Sequence, residues 1–241
     1  PEFLNAVDYM EWYNKATDVD NEYLMHTGGN PVPYVYGESL IRSIRNGTNQ
    51  NILFGSTDWL GELLKNTSNS QHHSVTVNGG NENIKYFTSI AHLDQGGVIE
   101  NTDFKRYNVR SNVSANLNKI LSVDLNLMVR QQNTNTPGIS PDNSSYLNPF
   151  YQAAMMLPNL PMYAPNGVYT AYRSSPGWIN PLATVENSGY QKRQSNIFQG
   201  DITFKLNVPW VSGLRMQLLT AYDKTGNENK TWLQPYPLMG R

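Results

Sequence analysis

Polar and apolar residues alternate along residues 105–133 more regularly than elsewhere in the chain. Every even position in 106–116 is polar, and the odd positions in 107–117 are mostly apolar. After a break at 118–120 the alternation resumes, with Met128 as an apolar exception on the polar side. Because successive side chains of a strand point to opposite faces, this pattern predicts a hairpin with one apolar face and one polar face.

The length of this hairpin indicates the environment of the two faces. Each arm has about 13 residues, whereas strands of soluble proteins centre near 5–6. A strand that crosses a bilayer needs roughly 9–11 residues when it is tilted by about 45°. The length and the two-sidedness together favour a wall of an outer-membrane barrel, with lipid on one side and water on the other.

The same alternation on either side of this hairpin predicts six antiparallel strands in all. The four further strands are 73–78, 85–93, 196–207 and 214–222. Short turns alternate with long connections, and barrels of this class have short periplasmic turns and long extracellular loops. The predicted divisions are 1–72 as an extracellular loop region with short helices, 73–133 as two barrel hairpins, 134–194 as a long extracellular loop, 195–226 as a barrel hairpin, and 227–241 as the start of the next extracellular loop.

Two helices are predicted in the first division. Apolar residues at helical spacing predict a helix over 3–17. Thr57 is predicted to cap a second, short helix over 58–65. Glycines and prolines between them predict that 18–55 is irregular.

Composition excludes several classes of protein and site. The net charge of −1 gives no reason to expect a nucleic-acid partner. The chain has no cysteine, which excludes a disulfide scaffold and a Cys-ligated metal. His72 and His73 are adjacent, so a strand points them to opposite faces, and we expect neither a metal site nor a cofactor.

The sequence contains no run of 18 apolar residues, so it predicts no transmembrane helix. The chain starts at Pro1 without a signal peptide, so we expect a processed chain or a fragment.

Several motifs closely resemble one family. The resemblance is carried by Thr57-Asp58-Trp59, by 74–82 (SVTVNGGNE), by Tyr86-Phe87-Thr88-Ser89, by 95–99 (QGGVI) and by 101–108 (NTDFKRYN). These segments are similar to the SusC/RagA family of TonB-linked outer-membrane transporters from Bacteroidetes-type bacteria. The opening segment, 3–16, resembles the part of that family that follows the plug domain.

The resemblance implies the fold and the function. It implies an all-β chain whose antiparallel strands form part of a 22-stranded transmembrane barrel with an N-terminal plug. It also implies an energised importer of oligosaccharides or peptides. The expected partners are a SusD-like surface lipoprotein, the TonB complex acting through the plug, and outer-membrane lipid. Six strands cannot close a pore, so we expect this chain to be a piece of such a transporter that lacks the plug.

Two groups of residues are candidates for contacts. The polar face of the central hairpin is predicted to face the lumen or the plug through Arg106, Asn108, Arg110, Asn112, Asp124 and Arg130. Aromatic rings stack on sugar faces, so the aromatic-rich loop 134–194 predicts substrate contacts at Tyr151, Tyr163, Tyr169, Tyr172 and Trp178. The alternative is that the first group solvates the lumen and the second packs the loop.

No catalytic motif stands out, so the sequence predicts a protein that is not an enzyme. The competing hypothesis is a non-catalytic carbohydrate-binding β-sandwich, in which the apolar face of residues 107–117 would pack against a second sheet.

Overall fold

A computed structural model describes residues 3–138, 148–172 and 179–240. The chain divides into two compact units. The strand unit comprises Asn66–Thr136 and Tyr190–Trp232, and the helical unit comprises Pro1–Lys65, Pro137–Gly189 and Leu233–Arg241. In chain order the elements are α1 (Ala6–Thr27), α2 (Glu38–Arg45), α3 (Trp59–Leu63), β1 (Ser70–Gly80), β2 (Ile84–Gly96), β3 (Asp103–Asn116), β4 (Leu121–Pro137), α4 (Pro149–Met155), β5 (Thr170–Ala171), α5 (Pro181–Asn187), β6 (Gly189–Asn207), β7 (Arg215–Leu233) and β8 (Met239–Gly240).

The strand unit is built on one sheet of six strands in the order β1-β2-β3-β4-β6-β7. The pairs β1–β2, β2–β3 and β3–β4 are antiparallel. This confirms the predicted all-β class and the six strands, which contain 11 to 19 residues each. Lengths in this range exceed those of ordinary strands.

Several strands extend beyond the ends that the alternation predicted. β7 continues to Leu233, whereas the sequence placed the start of a loop at residue 227. Residues 227–230 are polar on both faces, so alternation gives no signal there. Backbone hydrogen bonding continues through these residues, because the hydrogen bonds between neighbouring strands do not depend on an apolar face.

The register places the apolar side chains of four strands in one row. Val75 pairs with Ile90, Ile90 with Val109, and Val109 with Val129. These four side chains are 68%, 57%, 41% and 44% exposed, respectively. A contiguous exposed apolar surface of this kind marks contact with a partner or a membrane.

No second sheet is available to cover this apolar face in the part of the chain that the structure describes. The other sheet there pairs β5 with β8, and each of those strands has two residues. Two residues per strand cannot form the inner face of a sandwich. The described part of the chain therefore gives the β-sandwich hypothesis no support.

The first helix is longer than the sequence predicted. Asn5 caps it by accepting from the Asp8 N–H at 2.9 Å, and the helix continues to Thr27 rather than ending at residue 17. Residues 18–27 lack a continuous apolar stripe, but they contain no helix breaker before Gly28. Gly28 ends the helix with φ 81°, a conformation that glycine adopts without strain.

Two further helical predictions need correction. α2 lies inside 18–55, which was predicted to be irregular, and its Ile41 is buried against Met10 and Tyr36. Asp58 rather than Thr57 caps α3, because its carboxylate accepts from the Gly61 N–H at 2.9 Å. No helix among the described residues is long and apolar enough to cross a bilayer.

Distant parts of the chain are joined in the helical unit. The buried Thr57 hydroxyl donates to the Leu160 carbonyl at 2.7 Å, and the Trp59 indole donates to the Leu157 carbonyl at 2.9 Å. α4 packs against α3 and α5. Much of the predicted loop 134–194 is therefore a packed structure whose partners lie about 100 residues earlier.

Substitution of Val113 tests the environment of the apolar face. Val113 pairs with Tyr86 and Leu125 on this face, three residues before the end of β3. We expect Val113→Lys to lower the free energy of unfolding by about 1–2 kcal/mol, because a lysine that faces lipid between the bilayer midplane and the interface is poorly solvated. The measurement is denaturant unfolding of the full-length protein from lipid bilayers.

The matched control is the next residue of the same strand. Ser114 lies on the polar face opposite Asp124, so we expect Ser114→Lys to change this free energy by less than about 0.5 kcal/mol. Equal destabilisation by the two lysines would show that the odd-numbered face does not contact lipid.

A glycine is required where two segments of the helical unit cross. A Cβ at Gly55 would lie 2.8 Å from the Pro161 Cα, whereas one at Gly37 meets nothing within 4 Å. We expect Gly55→Ala to destabilise the helical unit by about 1–3 kcal/mol through overpacking. Gly37→Ala serves as the control. The measurement is limited proteolysis of the full-length protein, and equal cleavage of the two variants would contradict this assignment.

Candidate functional site

The polar face of the sheet gathers the residues that the sequence predicted for the lumen or the plug. Their cross-strand partners place them on one side: Asn108 pairs with Arg130, and Ser114 pairs with Asp124. The same face carries a concavity of about 420 Å³. Asn126 donates to Asp201 at 2.9 Å within it. The polar side chains around this concavity are Arg110, Asn112, Asn126, Gln199, Asp201 and Asp223.

Two arginines of this face retain unused donors. The Nε atoms of Arg106 and Arg130 are buried and have no hydrogen-bond partner among the described residues. Asp124, the one carboxylate among the residues predicted for this face, pairs with Lys205 at 2.5 Å. A buried donor without a partner is costly, so an acceptor from outside these residues would stabilise both side chains.

The predicted aromatic residues of 134–194 do not form one cluster. Tyr163 and Tyr169 lie together on a small hairpin, with ring centroids 4.8 Å apart. Tyr151 is exposed on α4. Tyr172 lies near Tyr9 and Tyr36 and makes a small contribution that raises the pKa of each. Trp178 lies outside the described residues.

A tight turn positions the tyrosine pair. The Ala164 N–H donates to the Val168 carbonyl at 2.8 Å. Gly167 has φ 77°, and Asn166 accepts from the Val168 N–H at 3.2 Å. Gly and Asn favour such a turn because glycine tolerates a positive φ and an Asn side chain can bond the backbone nearby.

Glu186 completes this site and was not predicted from the sequence. The Tyr169 hydroxyl donates to Glu186 Oε2 at 2.6 Å, and the Tyr163 and Tyr169 hydroxyls lie 3.3 Å apart. Burial raises the pKa of Tyr169 above its usual value near 10, and the bond to Glu186 raises the pKa further. Tyr169 therefore stays protonated and keeps donating up to a higher pH than an unperturbed tyrosine would.

A second tyrosine group lies around Tyr36. The rings of Tyr9 and Tyr13 lie edge-on to Tyr36, with centroids 6.2 and 5.3 Å from it, respectively. Burial is the largest cause that raises the pKa of Tyr9 to about 12, and the neighbouring Tyr36 adds to it. Tyr36 itself is 7% exposed, so these rings form packing rather than an open binding surface.

The histidine pair has a neighbour that the sequence did not indicate. His92 lies directly opposite His73 in the register and stacks on Tyr107 at 4.6 Å. Within the described ranges, however, no group of three or more His, Cys, Asp or Glu side chains could hold a metal ion. The register therefore places His92 beside His73 without assembling a metal-binding group among the described residues.

The chain is similar in sequence to several TonB-dependent receptors. It is 24% identical over 198 residues to TonB-dependent receptor SusC of Bacteroides thetaiotaomicron, a match that covers 75% of this chain and 19% of that protein. It is 26% identical over 134 residues to TonB-dependent receptor P26 of Formosa agariphila, covering 55% of this chain and 12% of that protein. No family model matches the chain.

Solved structures share the fold of the chain. The RagAB peptide importer in its closed-closed state matches 94% of this chain and 26% of its own, with 18% identity and a TM-score of 0.61. Its open-open state matches 92% of this chain and 27% of its own, with 19% identity and a TM-score of 0.58. The chain thus spans 12–19% of the curated relatives and about a quarter of the solved chains that it matches.

The raised pKa of Tyr169 predicts how its bond to Glu186 responds to alkali. A tyrosine whose pKa is raised by folding stabilises the fold fully below pH 10 and loses that contribution as the pH rises through the folded value. We expect the difference in tyrosinate absorbance between the full-length protein and its Tyr169→Phe variant to develop well above pH 10. The Tyr151→Phe variant serves as the control. If the absorbance change removed by Tyr169→Phe were centred at or below pH 10, this result would contradict the hydrogen bond between Tyr169 and Glu186.

Proposed function

We propose that this chain, which by sequence and fold is part of a SusC/RagA-like TonB-dependent receptor of the bacterial outer membrane, belongs to an importer of oligosaccharides or peptides. One observation carries the proposal: six long antiparallel strands expose an apolar face and gather their polar side chains on the other. That arrangement suits a wall between lipid and a water-filled or plugged lumen. The chain is also similar in sequence to SusC and in fold to the RagAB peptide importer.

The proposed importer needs partners outside this chain. We propose a SusD-like surface lipoprotein as the extracellular partner, since RagAB is a solved importer of similar fold. Energy would come from the TonB complex through a plug. The two buried, unpartnered arginine Nε atoms support a plug contact, because Arg106 and Arg130 need acceptors that the described wall does not supply.

Substrate contacts are proposed for the aromatic side chains of 134–194. Tyr163 and Tyr169 form the best supported pair, because their rings are together and Tyr163 is 46% exposed. Tyr151 and Tyr172 are less well supported because each lies apart from this pair. A catalytic role is not proposed, because recognition and passage account for the side chains that the site brings together.

Uptake by intact cells tests this function. We expect deletion of the gene that encodes the full-length receptor to abolish growth on either an oligosaccharide pool or a peptide pool as the sole carbon source. Re-expression of the receptor should restore growth, because the wall, plug and loops are then complete. We also expect a surface lipoprotein to co-purify with the receptor in detergent.

Dissipation of the proton gradient is the matched control. A TonB-dependent importer should stop accumulating its substrate when a protonophore is added, although binding at the cell surface persists. Normal growth of the deletion strain on both pools, or accumulation that the protonophore does not change, would contradict import.

A further inference from the structure

We propose that Tyr163, Tyr169 and Glu186 form a binding site for the guanidinium group of an arginine side chain in a peptide substrate. This inference rests on the proposed import function and narrows its substrate class. The three side chains belong to the same unit of the chain. Two observations support a cation rather than a sugar: the uncommitted carboxylate oxygen beside an aromatic face, and the charge of the surrounding unit.

The tyrosine pair offers an aromatic surface that is fixed in place. The rings are 4.8 Å apart with an interplanar angle of 35°, and Tyr163 is 46% exposed. The hairpin turn holds both residues at opposed positions. A guanidinium group stacks well on a tyrosine face because it is planar, cationic and weakly hydrated.

Glu186 supplies a negative charge beside this surface. Its Oε2 accepts from Tyr169, and no hydrogen bond to its Oε1 occurs among the described residues. None of the described lysines and arginines forms an ion pair with it. A carboxylate with one oxygen held by a hydroxyl still has lone pairs directed to an incoming donor.

The position of Glu186 in α5 also favours a cation. Glu186 lies in the last turn of this helix, which spans Pro181–Asn187. The carboxyl end of a helix carries a partial negative charge, so an acidic side chain there is unfavourable and a cation is favourable. A bound guanidinium group would offset the unfavourable interaction of Glu186 with the carboxyl end of this helix.

The charge of the helical unit points to the same class of ligand. Acidic side chains outnumber basic ones by nine to four among its described residues, although the whole chain has a net charge of only −1. The acidic residues are Asp8, Glu11, Asp18, Asp20, Glu22, Glu38, Asp58, Glu62 and Glu186, and the basic residues are Lys15, Arg42, Arg45 and Lys65. An acidic surface raises the local concentration of cationic ligands and speeds their association.

The test compares two peptides that differ only in charge. The probes are N-acetyl-Ser-Arg-Ser-amide and the same peptide with citrulline, which has nearly the shape of arginine but no charge. Isothermal titration uses the full-length receptor in detergent at low salt. We expect the arginine peptide to bind about tenfold more tightly, and this preference to weaken as salt is added.

Matched variants locate the preference at this site. Glu186→Gln keeps an acceptor for Tyr169 but removes the charge, so we expect most of the tenfold preference for the arginine peptide to be lost. Tyr163→Leu removes the exposed ring, so the arginine peptide should lose most of its advantage. Glu22→Gln removes a charge from α1 in the same unit, and the tenfold preference should remain.

The outcomes separate this inference from the import function. Equal affinities for the two peptides, a preference that Glu186→Gln leaves undiminished, or no binding of either peptide at millimolar concentration would overturn the guanidinium site. Binding of maltotriose that depends on Tyr163 but not on the charge of Glu186 would assign a sugar site instead. In each of these cases, growth that depends on the receptor would still support the proposed import function. Growth that does not depend on the receptor would count against that function.

Discussion

The backbone pairing of six long strands is the constraint on which the strand unit depends. Side chains alternate along each strand, so a shift of one residue in the register would exchange the two faces. The observed register keeps Val75, Ile90, Val109 and Val129 in one row and leaves the polar side chains on the other side. Backbone hydrogen bonds that are satisfied within the sheet also allow such a wall to lie in lipid, where water cannot replace them.

The two edge strands of this sheet each have a side whose backbone groups need further hydrogen-bond partners. β1 and β7 are the outermost strands, with 11 and 19 residues. Each presents one row of backbone donors and acceptors that its neighbour in this sheet does not use. In a bilayer those groups need further strands, and a closed barrel supplies them. The SusC/RagA-like fold therefore accounts for the exposed apolar face and for both open edges.

The sequence predicted the strand unit well because alternation is a local signal. The strands on either side of 118–120 were predicted from side-chain pattern alone, and the structure confirms both. Strand ends were less accurate, as at Leu233, because polar residues on both faces carry no alternation. The helical unit was harder to predict, since Thr57 and Trp59 bond to carbonyls about 100 residues away and no local pattern encodes such pairings.

Glu186 shows why the candidate site could be predicted only in part. Aromatic enrichment in 134–194 indicated Tyr163 and Tyr169, but nothing local to Glu186 links it to a tyrosine 17 residues earlier. That link exists because the 163–169 hairpin and α5 belong to the same packed unit, in which Thr170 and Asn180 both donate to the Met162 carbonyl. Asn180 also caps α5, so one side chain ties the start of that helix to the base of the hairpin. The distance between the exposed ring and the carboxylate is thereby set by packed elements rather than by a free loop. A ligand that uses both groups would then lose little free energy in ordering them.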